Sequence, residues 1–220
     1  MRYLTSLESF LATGRLGPIS ADLNARQVAD LLGTPQDWLF NSDAPFYWIY
    51  SETDCYRPKL ELQFSDEAPH HMYWFQIEDA EAIHGAFCLF GPMLAMTTDG
   101  LSGHSRPSDF LRSGAFDEAS TVVHLSKYLE LTIISGPVSI HFAGAESFED
   151  ELSDEAKEEI FATFGGECEF AHIDRLMGPG DIYSHRDLQR ASQDHVLTSA
   201  SCSLRQYLSM IDGRRTTSAS

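Results

Sequence analysis

Nine histidines, four cysteines and 33 acidic side chains are the groups in this 220-residue chain with the most chemistry to offer. His70 and His71 are adjacent, so on a strand they point to opposite faces and do not share one ion. His84, His104, His124, His141, His172, His185 and His195 stand singly, and no HExxH or HxH spacing occurs. They read as surface or hydrogen-bonded core histidines, and no metal ligand is assigned. Cys55, Cys88, Cys168 and Cys202 lie 33, 80 and 34 residues apart, unlike the close pairs of a zinc or redox motif. They read as free thiols in a reducing compartment. Ser102 sits in GLSG, which lacks the glycine spacing of a nucleophile elbow. A Cys/His pair assembled in space stays open. Neither GxGxxG nor GxxxxGK[ST] is present, and Gly178-Pro179-Gly180-Asp181 reads as a turn. No catalytic or cofactor-binding residue is assigned, and no cofactor is expected.

The sharpest local feature is acidic. Residues 146–169 hold ten acids and one base, Lys157. Glu151, Asp154, Glu155, Glu158 and Glu159 recur at three- and four-residue spacing, so on a helix they share a face. Such a face is either a solvated surface or a contact for a basic partner, with steering that speeds encounter. The candidate contact residues are Glu146, Glu149, Asp150, Glu151, Asp154, Glu155, Glu158 and Glu159. The whole chain has 15 bases and a net charge of −18. That balance argues against nucleic acid, which requires a basic surface, and against docking on anionic lipid. A second candidate surface is aromatic. Phe46, Tyr47, Trp48, Tyr50, Tyr73, Trp74 and Phe75 cluster on two expected strands. Alternation turns about half of them inward. Trp48 and Trp74 are the anchors to test as partner contacts, because Trp and Tyr dominate interface hot spots.

The elements that must position these residues are partly legible. Residues 2–13 repeat Tyr3, Leu4, Leu7, Phe10 and Leu11 at helical spacing before Gly14. Asn24 and Gln27 form a capping box for a helix over 24–32, ended by Gly33 and Pro35. Residues 46–50, 60–64 and 72–78 read as strands of an antiparallel meander, with Leu60, Leu62 and Phe64 on one face and Glu61 and Gln63 on the other. Residues 80–110 read as a buried strand or crossing segment followed by a loop. Helix is expected over 109–126 and 152–164, a hairpin over 129–142 around Gly136-Pro137, a strand over 167–173, and short helices over 185–192 and 202–211. The expected class is α+β, with antiparallel sheets and packed helices. It is divided into units 1–98 and 109–212 with a disordered tail 213–220, as one compact domain or as two related helix-plus-sheet halves.

Residues 16–38, LGPISADLNARQVADLLGTPQDW, then YWIY and LELQF, resemble a group of bacterial proteins with an LGPI…V…LLGxPxDW unit and an LELxF strand. Some of those sit in toxin–immunity settings. The helix–Gly–x–Pro pattern is also similar to the two-helix, three-strand fold of outer-membrane assembly lipoproteins, whose signal segment is missing here. The match spans residues 10–78. It rests on Leu16, Gly17, Pro18, Ile19, Val28, Leu31, Leu32, Gly33, Pro35, Trp38, Leu60, Leu62 and Phe64, which are turn and core formers. The stretch YSETDCYRPK departs from the family by its length. The resemblance implies a non-enzymatic immunity protein that inhibits a basic, nuclease-like toxin. The alternatives are a small hydrolase or transferase with a Cys/His or carboxylate site assembled in space, and a homo-oligomeric assembly subunit. With no apolar run long enough for a signal peptide or membrane span, the expected location is the cytoplasm.

Overall fold

A computed structural model describes residues 2–39, 46–52, 57–125, 130–143, 171–179 and 200–217. The chain is α+β. The first 39 residues carry β1 (Tyr3–Ser6), α1 (Leu7–Thr13), α2 (Ala25–Leu32) and β2 (Asp37–Leu39). Then come β3 (Phe46–Tyr50), β4 (Lys59–Phe64), β5 (Met72–Glu78), β6 (Phe87–Phe90), β7 (Leu94–Thr97) and α3 (Pro107–Arg112). The remainder holds β8 (Val122–Leu125), β9 (Leu131–Ser135), β10 (Val138–Ala143), β11 (His172–Met177), β12 (Ala200–Ser203) and α4 (Leu204–Thr217). A nine-stranded sheet runs in the order β12-β8-β9-β10-β11-β5-β4-β3-β2, and β1-β7-β6 make a small second sheet.

Local chemistry accounts for most element ends. Ser6 accepts from the Ser9 amide at 3.0 Å and starts α1. Gly14, at φ 68°, ends it by donating to the Phe10 carbonyl at 2.7 Å. Asn24 and Gln27 cap each other's backbone amides at 3.0 and 2.9 Å, so α2 begins as its sequence predicts. The β9–β10 hairpin also forms as expected, because Gly136 takes the left-handed φ of 54° that a two-residue turn needs.

Four expectations are corrected. Residues 3–6 are strand rather than helix, paired parallel to β7. Helical spacing over so short a window also fits strand alternation, and pairing with β7 of the β6–β7 hairpin decides the matter. Leu4 is consequently turned outward and 72% exposed. The helix expected over 109–126 is only α3. It stops before Gly114, and Val122–Leu125, opening on two β-branched valines, pairs with β9. Residues 200–203 form a strand ahead of α4, and α4 extends to Thr217, into residues expected to be tail. Within the expected crossing segment, β6 and β7 form a hairpin. The strand expected over 167–173 begins at His172 as described. The helices expected over 152–164 and 185–192 lie outside the described residues.

One buried apolar cluster includes residues from both expected units. Phe10 of α1 meets Phe75 of β5 at 5.8 Å, and Phe110 of α3 meets Phe142 of β10 edge-on at 5.6 Å. The stretch 98–110 packs closely instead of spanning open solvent. Leu101 is buried, and the Gly103 amide donates to the Ile83 carbonyl at 2.8 Å. The strand that joins the two sides is β11. It pairs with β10 along one edge and with β5 along the other.

Gly178 follows β11, and its amide donates to the Phe75 carbonyl at 2.9 Å. A Cβ there would lie 2.5 Å from the ring Cζ of Phe75, a side chain with no exposure. Gly178→Ala is therefore expected to lower stability by about 2 kcal/mol or more. Gly213→Ala, in α4 with nothing within 4 Å of the new carbon, is expected to be neutral or stabilising by up to about 1 kcal/mol. Thermal melts of the two variants check the contrast.

Candidate functional site

The two faces of the large sheet differ in kind. Leu60, Leu62 and Phe64 of β4 face the helices with no exposure, and Ile77, Ile133, Ile140 and Phe142 are buried likewise. The opposite face is polar. Register carries a row of polar side chains across it. Ser201 sits beside His124, His124 beside Thr132, Thr132 beside His141, and His141 beside Arg175. On the far side, Glu78 stands beside Lys59, Gln76 beside Glu61, and Trp74 beside Gln63, which neighbours Tyr47. No buried side-chain nitrogen or oxygen among the described residues lacks a partner.

At the β3–β5 end, the Glu61 carboxylate accepts from the Tyr47 hydroxyl and from Gln76 Nε2 at 2.8 Å. The same Gln76 nitrogen donates to Glu78 at 2.7 Å. Burial, then the hydrogen bond to Glu61 and the charge of that carboxylate, pushes the Tyr47 hydroxyl far above the usual range, so it stays a donor. Burial also lifts Glu78 to about 7, helped by the charges of Glu61 and Asp174 and opposed by Arg175. Lys59 is ion-paired with Asp79. Trp74 is nearly buried and meets Tyr47 edge-on at 5.8 Å.

At the β9–β11 end, His141 is 1% exposed. Its Nδ1 lies 2.8 Å from Glu130 Oε1, and its Nε2 lies 3.0 Å from Ser139 Oγ. The Glu130 carboxylate can only accept, so Nδ1 donates and Nε2 of a neutral ring accepts from Ser139. Arg175 Nη2 reaches Glu130 Oε1 at 3.4 Å. The bond from His141 holds the Glu130 carboxyl below its ordinary value against the opposing effect of burial, and the Arg175 charge adds to this. His124 Nδ1 lies 2.8 Å from Ser201 Oγ, and burial lowers the His124 pKa.

The sequence candidates separate. Trp74 belongs to the polar face. Trp48 lies on the other side, half-buried against Phe64 at 4.9 Å and Phe46 at 5.4 Å. It is therefore a packing residue rather than an exposed anchor. Glu146, Glu149, Asp150, Glu151, Asp154, Glu155, Glu158 and Glu159 lie outside the described residues. The exposed apolar residues near the sheet edge are Trp38 and Leu39 of β2, 58% and 62% exposed. Burial raises the Cys88 and Cys202 thiols to about 11, which leaves them protonated and poorly nucleophilic. No group of three metal-binding side chains occurs among the described residues, and no helix there is long and apolar enough to cross a membrane. A cleft of about 420 Å³, lined by residues including Arg2, Gln36, Glu52 and Gly91, contains none of the polar-face residues.

The Ser139–His141–Glu130 chain escaped the sequence reading, although its signal was present. A two-residue turn at 136–137 sets Ser135 opposite Val138, and hence Thr132 opposite His141. Ser-x-His on a strand then shares one face with Glu130's end of β9. The contribution of Arg175 was not legible, because it depends on β11 docking against β10.

Glu78 supplies a pH test. Its folded pKa lies above the ordinary 4.5, so the native state holds the proton more tightly than the unfolded chain. Stability attributable to this group falls as pH rises from about 4.5 to about 7 and stays lost above that. Glu78→Gln is expected to match the wild type near pH 4. At pH 8 it is expected to exceed the wild type by about 1 kcal/mol, a value discounted for partial exposure. Urea melts at the two pH values check this.

No family model, no curated protein and no solved structure matches the chain.

Proposed function

We propose that this chain is a cytoplasmic binding protein of the immunity type, which inhibits a basic, nuclease-like toxin. The observation that carries the reading is the composition of the polar face at its β2–β5 end. Tyr47 and Trp74 stand there beside the carboxylates Glu61 and Glu78. By register, the same face continues to Asp37 and Leu39 on β2, the last strand of the sheet among the described residues. Trp74 and Glu61 are buried and back this patch, so the groups that suit a cationic protein partner are the half-buried Tyr47, the partly exposed Glu78 and the exposed Asp37 and Leu39. That last strand, with exposed Trp38 and Leu39, offers backbone groups and apolar anchors to a partner strand.

Charge supports the same reading. The acidic run over 146–159 belongs to a chain with net charge −18, whose field speeds encounter with a basic protein. The resemblance of residues 16–38 and of the LELQF strand to immunity-associated proteins points the same way. Tagged protein in lysate of the source cell is expected to retain a basic protein at about 0.05 M salt and to release most of it at about 0.5 M. Leu39→Arg is expected to weaken that capture about tenfold, since it changes an exposed anchor and leaves the core alone. Reversing Glu146, Glu149, Glu151 and Asp154 to lysine is expected to remove the salt dependence. Capture that is indifferent to salt and to both variants, or no capture, overturns the proposal.

A further inference from the structure

We propose that Ser139 is a nucleophilic serine, activated by His141 and Glu130, that accepts the acyl group of small apolar carboxylic esters. Three features converge. The first is the order of the bonds: Ser139 Oγ meets Nε2 at 3.0 Å, while Nδ1 of the same ring meets Glu130 at 2.8 Å. Both distances lie within the range for a nucleophile, its base and the group that orients the base. The second is Arg175, whose Nη2 lies 3.4 Å from the same Glu130 oxygen, Oε1, that accepts from His141, and favours the ionised carboxylate. That carboxylate fixes the ring tautomer and stabilises the imidazolium formed when the base takes a proton. The third is the flanking register. Ser139 lies between Ile134 on β9 and Met177 on β11, both nearly buried. These side chains suit an apolar acyl group.

The second serine–histidine contact on this face provides a contrast. Ser201 meets Nδ1 of His124 at 2.8 Å, and among the described residues no carboxylate is hydrogen-bonded to His124.

The step balances without a further reactant. Ser139 Oγ bonds to the ester carbonyl carbon as its proton passes to His141 Nε2. The carbon–oxygen bond to the alcohol then breaks, and the alkoxide leaves with that proton. Water attacks the acyl-serine by the same route, and the carboxylic acid and free Ser139 are restored. His141 and Ser139 are the catalytic residues, and Glu130 and Arg175 are positioning residues. This inference does not depend on the binding reading, which concerns the other end of the face.

The test uses the full chain and diisopropyl fluorophosphate, a probe small enough for a residue only 6% exposed. Serine attack on phosphorus releases fluoride, and the proton goes to His141. The expected result is a single adduct that peptide mass mapping places on Ser139, formed about 100-fold faster than on urea-unfolded protein. Ser201 is expected to stay unmodified. Glu130→Gln is expected to slow labelling at least about tenfold and to move the midpoint of its pH profile downward, with Glu130→Asp recovering part of the rate. Should either variant fail to fold, mapping of the wild type decides. No adduct on the folded wild type, an adduct on another serine, or equal rates folded and unfolded overturns the proposal. Partner capture is measured separately, so failure of one idea is distinguishable from failure of the other.

Discussion

The structure depends on β11 being hydrogen-bonded on both edges. Its pairing with β10 is long, from Ser139–Met177 to Ala143–His172. Its pairing with β5 is short, limited to Leu176–Ile77 and Met177–Gln76 and followed by the Gly178 amide on the Phe75 carbonyl. Backbone amides and carbonyls in a sheet interior require partners. Removing β11 would therefore open edges on β10 and β5 at once. It would also uncover the side chains Ile173 and Leu176, which are buried in the shared apolar cluster. The approach of Gly178 to the Phe75 ring is as close as it is because this junction leaves no room for a side chain.

That same strand gives the large sheet its chemical asymmetry. On one face, helices cover aliphatic and aromatic side chains, and the energy there is burial of apolar area. On the other, Arg175 lies next to His141 and brings a cation to Glu130. Its charge, with that of Asp174, also reaches Glu78. Polar groups taken out of water are costly unless bonded, and those described here are bonded to one another. The network follows the sheet, because cross-strand neighbours and residues two apart on one strand share a face and are close enough to satisfy each other. Binding at the β2–β5 end and nucleophile activation at the β9–β11 end are two uses of one polar surface.

Legibility followed the range of the interaction that decides each feature. The capping box of α2, the left-handed Gly14, the Gly136 turn and the alternation of Leu60, Leu62 and Phe64 are decided within a few residues, and all were readable. Tyr3–Ser6 misled because its apolar spacing fits two periods, and a distant hairpin decides between them. Residues 109–126 misled because the apolar face of α3 continues into a β-branched stretch that joins β9. Trp48 and Trp74 looked alike in sequence. They differ because one faces the packed side of the sheet and the other the polar side, next to Tyr47 and Gln63. The Ser139–His141–Glu130 chain was half legible: the hairpin turn sets its register, but nothing local reveals that Arg175 completes it.

The amino-acid order alone determined the acidic balance, the α+β class, the caps, the meander β3–β5 and the hairpin β9–β10. These depend on composition, on backbone conformations available to particular residues, and on hydrophobic periods shorter than ten residues. Tertiary structure alone decided that β1 is a strand, that β11 lies between β10 and β5, and that Arg175 joins Glu130, Ser139 and His141 on one face. The physical reason is that strand pairing satisfies backbone hydrogen bonds between segments far apart in the chain. Which segments pair is selected by the whole set of competing edges and not by the residues of either strand.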